Sequence, residues 1–280
     1  MSKQDEQQTI RRILVALDAS HHSLSALEAA ADLAATLEAE LLGLFVEDAN
    51  LLRLAGLPVA REMRYPFIAP ARLDRTRMER ALRAQAEQAR RALAAASERR
   101  HVAWSFRVVR GEVASEVLAA AMEADLLTLG KASRPIIRRV RIGSTARAAT
   151  EGAPCCVLML QRDVGIQPPV VVTYDGTRIA HKAITMAAHL ARQHMGTLTV
   201  LILADTADVA QRLRAEVADL LHKWDLRVRY RRLTDASSTT LIREVQSEGS
   251  GMLVLSGTSL GQEALQRLLD AVDCPVMVVR

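Results

Sequence analysis

The chain has 280 residues and a mass of 30.6 kDa, a length that favours two domains over one. Hydrophobic residues make up 50 % of the sequence but aromatic residues only 3 %, so the core must be built from Ala, Val, Leu and Ile, as in parallel sheets covered by Ala-rich helices. The net charge of +5 falls short of the clustered basic face of a nucleic-acid-binding protein, so we expect no nucleic-acid partner.

The location of the protein is predicted from the absence of apolar segments. Residues 1–10 are polar and lack the apolar run of a signal peptide. No later segment reaches the ~18 uninterrupted apolar residues of a membrane span. We therefore expect a cytoplasmic protein with no membrane partner. Neither the three cysteines nor the seven histidines show a spacing typical of disulfide frameworks or metal sites, so we expect buried thiols and no bound metal.

The same pattern of elements occurs twice along the chain. Residues 13–17 form an apolar run that ends at Asp18, and Val170–Tyr174 ends in the same way at Asp175, which lies 157 positions further on. This offset continues through a predicted helix and a second predicted strand in each half, at residues 24–37 and 41–46, and at residues 181–194 and 198–203. A shared register over about thirty residues indicates a duplication.

Further helices and strands alternate in both halves. In the first half we predict helix 74–99, strand 102–109, helix 115–123, strand 126–129, helix 144–150 and strand 157–160. In the second half we predict helix 208–221, strand 227–233, helix 239–247, strand 252–255, helix 263–272 and strand 276–279. Such alternation is typical of right-handed βαβ crossovers and a mostly parallel sheet.

The fold class that follows is α/β, with two Rossmann-like doubly wound domains. We place the domains at residues 1–162 and 168–280, and we interpret residues 161–169, with Gly165 and the pair Pro168-Pro169, as the linker. In each domain we expect a mostly parallel five-stranded sheet of order 3-2-1-4-5 with flanking helices.

A candidate anion site follows the fourth predicted strand of the first half. From Gly130 the sequence runs GKASRPIIRRVRIGST and ends with Gly143, Ser144 and Thr145 at the start of a helix. Glycines let backbone amides approach an anion closely, a helix N-terminus supplies about half a positive charge, and hydroxyl groups add hydrogen bonds. The sequence therefore predicts a phosphate-binding loop.

The spacing within this loop resembles that of the universal stress proteins. Their nucleotide-binding members carry G-x2-G-x9-G-(S/T) after the fourth strand, and this chain has Gly130, two residues, Ser133, nine residues and then Gly143-Ser144. Serine stands where the second glycine of the motif belongs. If Ser133 needs a positive φ, the substitution costs about 1 kcal/mol. The resemblance covers nearly the whole chain as two copies.

The resemblance implies that ATP, with or without Mg²⁺, binds the first domain. It assigns nucleotide contacts to Ala16, Leu17, Asp18, Val46, Gly130, Ser133, Gly143, Ser144 and Thr145. In this assignment Asp18 borders the adenosine, Val46 meets the adenine, and the last three residues hold the phosphates. The resemblance also implies that the two domains pair through their last strands within the chain.

Three features admit a second interpretation. Asp18 could cap the following helix, a role that suits Ser20 equally well. The basic residues of the loop are either a solvated surface or an extra attraction for a triphosphate; they are Lys131, Arg134, Arg138, Arg139 and Arg141. Residues 49–73 are too apolar for an ordinary loop, so they form either a hairpin or short helix folded over the domain, or a lid or partner surface.

The second half lacks a comparable loop. Matching Gly130 to Gly257 gives an offset of 127, whereas the last strands match at an offset of 119, which implies an eight-residue deletion. In this alignment Gln262 and Glu263 replace Gly143 and Ser144, so a carboxylate would lie where a phosphate should. We therefore predict a degenerate, structural second domain.

The predicted function is an ATP-binding stress-response regulator. The alternative is a ligand-free tandem scaffold that binds a protein partner, and a homodimer is compatible with both. We assign no catalytic residue, because neither paired carboxylates nor a nucleophile beside a base accompanies the loop. Any ATP hydrolysis would be slow and incidental.

Overall fold

The computed structural model describes residues 10–57, 61–62, 71–72, 74–131, 143–160, 166–193, 196–235, 237–249, 251–257 and 259–280. Within these ranges the strands are β1 Arg12–Leu17, β2 Glu40–Asp48, β3 Arg61–Glu62, β4 Ala71–Arg72, β5 Trp104–Gly111, β6 Leu126–Gly130, β7 Cys156–Leu160, β8 Val170–Tyr174, β9 Thr197–Leu203, β10 Arg227–Leu233, β11 Met252–Ser256 and β12 Val276–Val279. The helices are α1 His21–Leu37, α2 Ala49–Ala55, α3 Arg75–Glu98, α4 Val113–Ala121, α5 Ser144–Gly152, α6 Arg178–Gln193, α7 Ala207–Leu221, α8 Ser238–Ser247 and α9 Gln262–Ala271. The predicted elements are found at the expected places, with ends that differ by three residues or fewer.

Ten of these strands form one continuous sheet. Its order is β10-β9-β8-β11-β12-β7-β6-β1-β2-β5, and the pairs are parallel except for β7 with β12, which is antiparallel. If the ten strands are counted separately in each half, both halves have the order 3-2-1-4-5. The predicted fold class is therefore confirmed. The two five-stranded halves join into one larger sheet through their last strands, β7 and β12, which is the pairing expected above.

The sequence of each strand reflects its position in the sheet. The central strands β7 (CVLML) and β8 (VVVTY) are buried at every residue, as expected of parallel strands covered by helices on both faces. The edge strands β5 and β10 instead alternate between covered and exposed residues. Arginine occupies exposed positions of β10, a device that discourages pairing with another sheet.

The helices cover the two faces of the sheet. Helices α1, α3, α6 and α7 pack on one face, and α4, α5, α8 and α9 pack on the other, so that each face has its own hydrophobic cluster. Small side chains let the helices lie close to the strands: Ala26, Ala30 and Ala34 recur every fourth residue of α1 and are fully buried. Cys155, Cys156 and Cys274 are buried thiols within these clusters, as predicted.

The apolar segment at residues 49–73 contains both a short helix and a hairpin, the two structures named in the first interpretation. Residues 49–55 form the short helix α2, and β3 pairs with β4 as a two-stranded antiparallel hairpin. The remaining residues of the insertion, 58–60, 63–70 and 73, lie outside the described residues. Among the helices of the described part, none combines the length and the apolar character required to cross a membrane.

Candidate functional site

The point where strand order reverses in the first half lies between β1 and β6. These strands pair in parallel, and β1 also pairs with β2, so all three end at the same edge of the sheet. Ala16 and Leu17 are the last residues of β1, opposite Leu44 and Phe45 of β2, and the half-buried Val46 is the next residue along β2. The carboxyl edge at a switch point is the usual ligand position in doubly wound sheets.

Asp18 forms a tight turn between β1 and α1. Its Oδ1 accepts a hydrogen bond from the backbone N–H of Ser20 at 2.9 Å, and the residue between them, Ala19, has a φ of 57°. Ser20 is the N-cap of α1, since its Oγ accepts from the N–H of Ser23 at 3.2 Å. The capping role therefore belongs to Ser20, and the Asp18 carboxylate stays exposed at the strand end.

Gly130 lies where β6 passes the first turn of α1. A Cβ at this position would come within 3.1 Å of the backbone carbonyl of His22 and of its Cβ. The glycine therefore has a packing reason in addition to any approach of a ligand. The buried Nδ1 of His22 has no hydrogen-bond partner among the described residues. The sequence analysis considered the histidines only as metal ligands. The position of His22 next to Gly130 follows from the packing of α1 on β6 and could not be predicted from the sequence.

The base of the predicted phosphate loop is closed by Lys131 and Gly143. The backbone N–H of Lys131 donates to the Leu160 carbonyl at 2.7 Å, and its carbonyl accepts from the N–H of Gly143 at 3.2 Å. Gly143 thus lies beside the end of β6. Ser133 and the loop residues Arg134, Arg138, Arg139 and Arg141 lie outside the described residues.

The Lys131 side chain is not part of a solvated surface. It is 3 % exposed, and its Nζ donates to the backbone carbonyl of Val272 in the second half. Burial lowers the pKa of this ammonium group, and the nearby carboxylate of Asp273 opposes that shift. The side chain therefore belongs to the contact between the halves rather than to a solvated surface.

The N-terminus of α5 has the features of an anion site. Its N-cap is Gly143, which offers no side-chain hydrogen bond, and the first turn carries no acidic residue. Ser144 is exposed and Thr145 is half-buried. The first amides of a helix have no partner within it and lie at its positive end, so this turn presents N–H donors that a carboxylate does not neutralise.

Comparison with known proteins identifies the family. Residues 9–161, more than half of the chain, match the family model described as "Universal stress protein family". The chain belongs to the universal stress protein family. A search of the curated proteins gives no match.

Solved universal stress proteins show the same fold. One from Archaeoglobus fulgidus DSM 4304 is 15 % identical with a TM-score of 0.70, and the match covers 95 % of this chain and 95 % of that chain. A protein of Pseudomonas aeruginosa UCBPP-PA14 assigned to the same group is 16 % identical with a TM-score of 0.57, covering 98 % of this chain and 94 % of that chain. A third, solved in complex with cAMP, is 19 % identical with a TM-score of 0.40, covering 55 % of this chain and 99 % of that chain.

The strand register corrects the alignment of the two halves of this universal stress protein. Gly130 pairs with Leu160, the last residue of β7. In the second half, Ser256 pairs with Val279, the last residue of β12. Ser256, not Gly257, is therefore the counterpart of Gly130. The sequence alignment was shifted by one residue because it matched Gly130 to Gly257. Hydrogen bonding between strands, not residue identity, sets the register.

The helix caps give a second correction. Gly143 caps α5 with φ −62° and ψ 156°, and Gly261 caps α9 with φ −66° and ψ 156°. The second half therefore keeps a glycine at the cap, and Gln262 and Glu263 follow it at the places of Ser144 and Thr145. Thirteen positions separate Gly130 from Gly143 but five separate Ser256 from Gly261, so the connecting loop is indeed eight residues shorter.

The N-terminus of α9 differs electrostatically from that of α5. Glu263 lies in the first turn of α9 with its side chain 87 % exposed. A carboxylate at this place stabilises the helix N-terminus and repels an incoming anion. Of the two equivalent helix starts, the first-half one suits a phosphate and the second-half one does not.

The turn after β8 in the second half is covered by α7. Asp175 forms the same turn as Asp18, with its Oδ1 accepting from the Thr177 N–H at 3.0 Å. Gly176, at φ 79°, lies so close to α7 that a Cβ on it would be 2.8 Å from Cδ2 of Leu213. The hydroxyl of the fully buried Tyr174 donates to Glu216 of α7 at 3.0 Å. Side chains of this chain thus occupy the space beside the second turn.

Proposed function

We propose that this chain is a tandem universal stress protein that binds ATP in its first domain and acts as a nucleotide-dependent regulator of the stress response. The domains are residues 1–162 and 168–280. The ATP site consists of Ala16, Leu17, Asp18, Val46, Gly130, Ser133, Gly143, Ser144 and Thr145, and we place the protein in the cytoplasm. The second domain serves as a structural partner.

The observation that carries this proposal is the contrast between the starts of α5 and α9. Helix α5 begins at Gly143, beside the end of β6, and its first turn carries no acidic residue, whereas the first turn of α9 carries Glu263. This difference between the two first turns is expected if the first half keeps a triphosphate site and the second half has lost it.

The nucleoside end of the site is supported by two side chains at the β1 turn. The exposed carboxylate of Asp18 can accept hydrogen bonds from a ribose, and the unpartnered Nδ1 of His22 lies next to Gly130. A buried polar atom without a partner is costly, so a ligand group that reached it would recover that cost. ATP binds with or without Mg²⁺ in this proposal, and any Mg²⁺ would be held through the phosphates.

The second candidate function is the ligand-free scaffold. It is favoured by three leucines at and just beyond α2, since Leu51, Leu54 and Leu57 are 42 %, 48 % and 50 % exposed. Exposed apolar side chains on neighbouring helical positions are typical of a partner surface. Nucleotide analysis of freshly purified, denatured protein separates the two functions, because only the first predicts co-purified adenine nucleotide.

A double change at the helix start tests the proposed site. Gly143→Arg with Ser144→Glu fills the space at the N-terminus of α5 and sets a carboxylate against the phosphates. We expect ATP affinity to fall by at least about 100-fold, the loss of two charge-assisted hydrogen bonds. Calorimetric titration of nucleotide-free protein measures the affinity, and circular dichroism checks that the fold is intact.

The matched control is the equivalent change in the second half, Gly261→Arg with Gln262→Glu. A Cβ on Gly261 would meet nothing within 4 Å, so this variant should fold and bind ATP like the wild type. Unchanged affinity in the Gly143 variant, or an equal loss in the control, would refute this site.

A further inference from the structure

The second half contacts the first half at Lys131, just after β6, and again at the far end of helix α5. At its beginning, Lys131 follows β6 and sends its side chain across the boundary to the carbonyl of Val272, the C-cap of α9. Its backbone bonds to Leu160 and to Gly143, as described above. Lys131 therefore connects the end of β7, the N-cap of α5 and the C-terminus of α9.

The far end of α5 is fixed by the same half. The guanidinium of Arg280 donates to the Thr150 carbonyl, and Nε2 of Gln266 in α9 donates to the Thr150 Oγ1 at 3.0 Å. Thr150 belongs to the last turn of α5, where unpaired carbonyl groups favour a cation. Helix α5 is thus anchored to the second half at its C-terminus, while its N-terminus offers the anion site.

The side-chain contact made by Lys131 has no counterpart at the equivalent position of the second half. The residue related to Lys131 by the strand register is Gly257, which has no side chain to extend across the boundary. Its N–H donates to the Val279 carbonyl at 2.8 Å, as that of Lys131 does to Leu160, so the backbone contact is repeated and the side-chain contact is not. The asymmetry matches that of the two helix starts.

We propose that the second half is a positioning element for the N-terminus of α5, and that Lys131 is the positioning residue that transmits its effect. This inference rests on the proposed nucleotide site. A shift at the C-terminus of α9 moves Lys131 and, through its carbonyl, the N-cap of α5. Because coupling between sites is reciprocal, ATP on α5 in turn stabilises the C-terminus of α9. The stability of the α9 C-terminus, and with it the affinity of a partner that binds there, then depends on nucleotide occupancy.

The test compares Lys131→Met with Lys223→Met in the full chain. Methionine keeps the length and apolar stem of lysine but removes the donor, and Lys223 is an exposed lysine of the second half. Amide hydrogen exchange at Gly143 is measured without nucleotide, and ATP affinity is measured by calorimetry. We expect faster exchange at Gly143 and about tenfold weaker ATP binding in Lys131→Met, a loss equal to one hydrogen bond to a charged group. The control should match the wild type.

A second readout separates positioning from mere stability. The Val272 amide, which donates to the Leu268 carbonyl at 3.0 Å, should gain protection when ATP saturates the wild type and should not gain it in Lys131→Met. If Lys131→Met does not fold, Gln266→Met, which removes the contact of α9 with Thr150, should shift Gly143 exchange in the same direction by a smaller factor.

The outcomes distinguish this inference from the proposed function. The positioning role is overturned if the wild type binds ATP but Lys131→Met leaves either the Gly143 exchange rate or the ATP affinity unchanged. The ATP site is then unaffected by that result. Faster exchange at Gly143 in a chain whose wild type binds no ATP supports the mechanical link and overturns the nucleotide function.

Discussion

At the scale of single residues, the turns after β1 and β8 are alike and their surroundings differ. Asp18 and Asp175 each accept a hydrogen bond from the backbone N–H two residues on. The two turns differ in what packs against them: Leu213 and Glu216 of α7 lie against the turn after β8. The same aspartate can therefore face a ligand in one half and its own chain in the other.

Asp18→Ala should weaken ATP binding by about 1–2 kcal/mol, or about 5- to 30-fold, because one hydrogen bond from the ribose is lost. Asp175→Ala is the matched control, since it removes the same turn bond and should leave the affinity unchanged. Titration calorimetry of both variants gives the comparison. Equal losses would contradict the assignment of the nucleoside to the first turn.

Buried acidic groups should limit stability in alkaline solution. Burial raises the pKa of the Cys155 thiol from its usual 9.0 to about 11, and it raises those of Cys156 and Tyr174 as well. The unfolded chain then loses these protons first, so the free energy of unfolding should fall as the pH rises from 9.0 towards 11. Urea unfolding across this range should show a shallower fall for Cys155→Ala; an identical slope would show that this thiol does not contribute.

At the scale of elements, short deletions and single charges decide which helix start can take an anion. Helices α5 and α9 occupy equivalent places, begin after a glycine and pack on the same face of the sheet. They differ in the eight-residue loop before them and in Glu263. Since a helix N-terminus attracts anions through its positive end, a carboxylate in the first turn weakens that attraction.

At the scale of the whole molecule, the antiparallel pair of β7 and β12 makes one sheet from two halves. Three of its residue pairs are in register: Val276 with Met159, Met277 with Leu158, and Val278 with Val157. These strands are buried at every residue, so either half alone would expose the apolar edge of its last strand to water. The two halves thus share a core and differ in their ligand edges.

The stoichiometry of binding follows from this asymmetry. Because the second half has a shorter loop, a carboxylate at its helix start and a covered turn, nucleotide-free protein should bind about one ATP per chain, as expected if one of two equivalent edges is intact. Calorimetric titration against a protein concentration from amino-acid analysis gives the number. Two equivalent sites would contradict the structural role of the second half.

The sequence by itself determined the strands, helices and turns of this protein, because these depend on neighbours along the chain. Apolar runs, Ser20 as a possible cap and the repeated Asp18 and Asp175 turns are local signals, and the elements they predict are found. The alternation of helices and strands predicted a mostly parallel sheet, its order was expected by analogy with doubly wound folds, and the loop motif pointed to the family.

Tertiary structure alone decided which side chains meet at the boundary between the two halves. Lys131 was placed by its sequence among loop arginines, yet it bonds to a carbonyl 141 positions away. The counterparts of Gly130 and Gly143 are likewise set by strand register and helix caps rather than by matching letters. The first feature is a contact across 141 positions, and the second depends on strand pairs that are 30 and 23 positions apart, Gly130 with Leu160 and Ser256 with Val279. Patterns among neighbouring residues carry no information about such contacts.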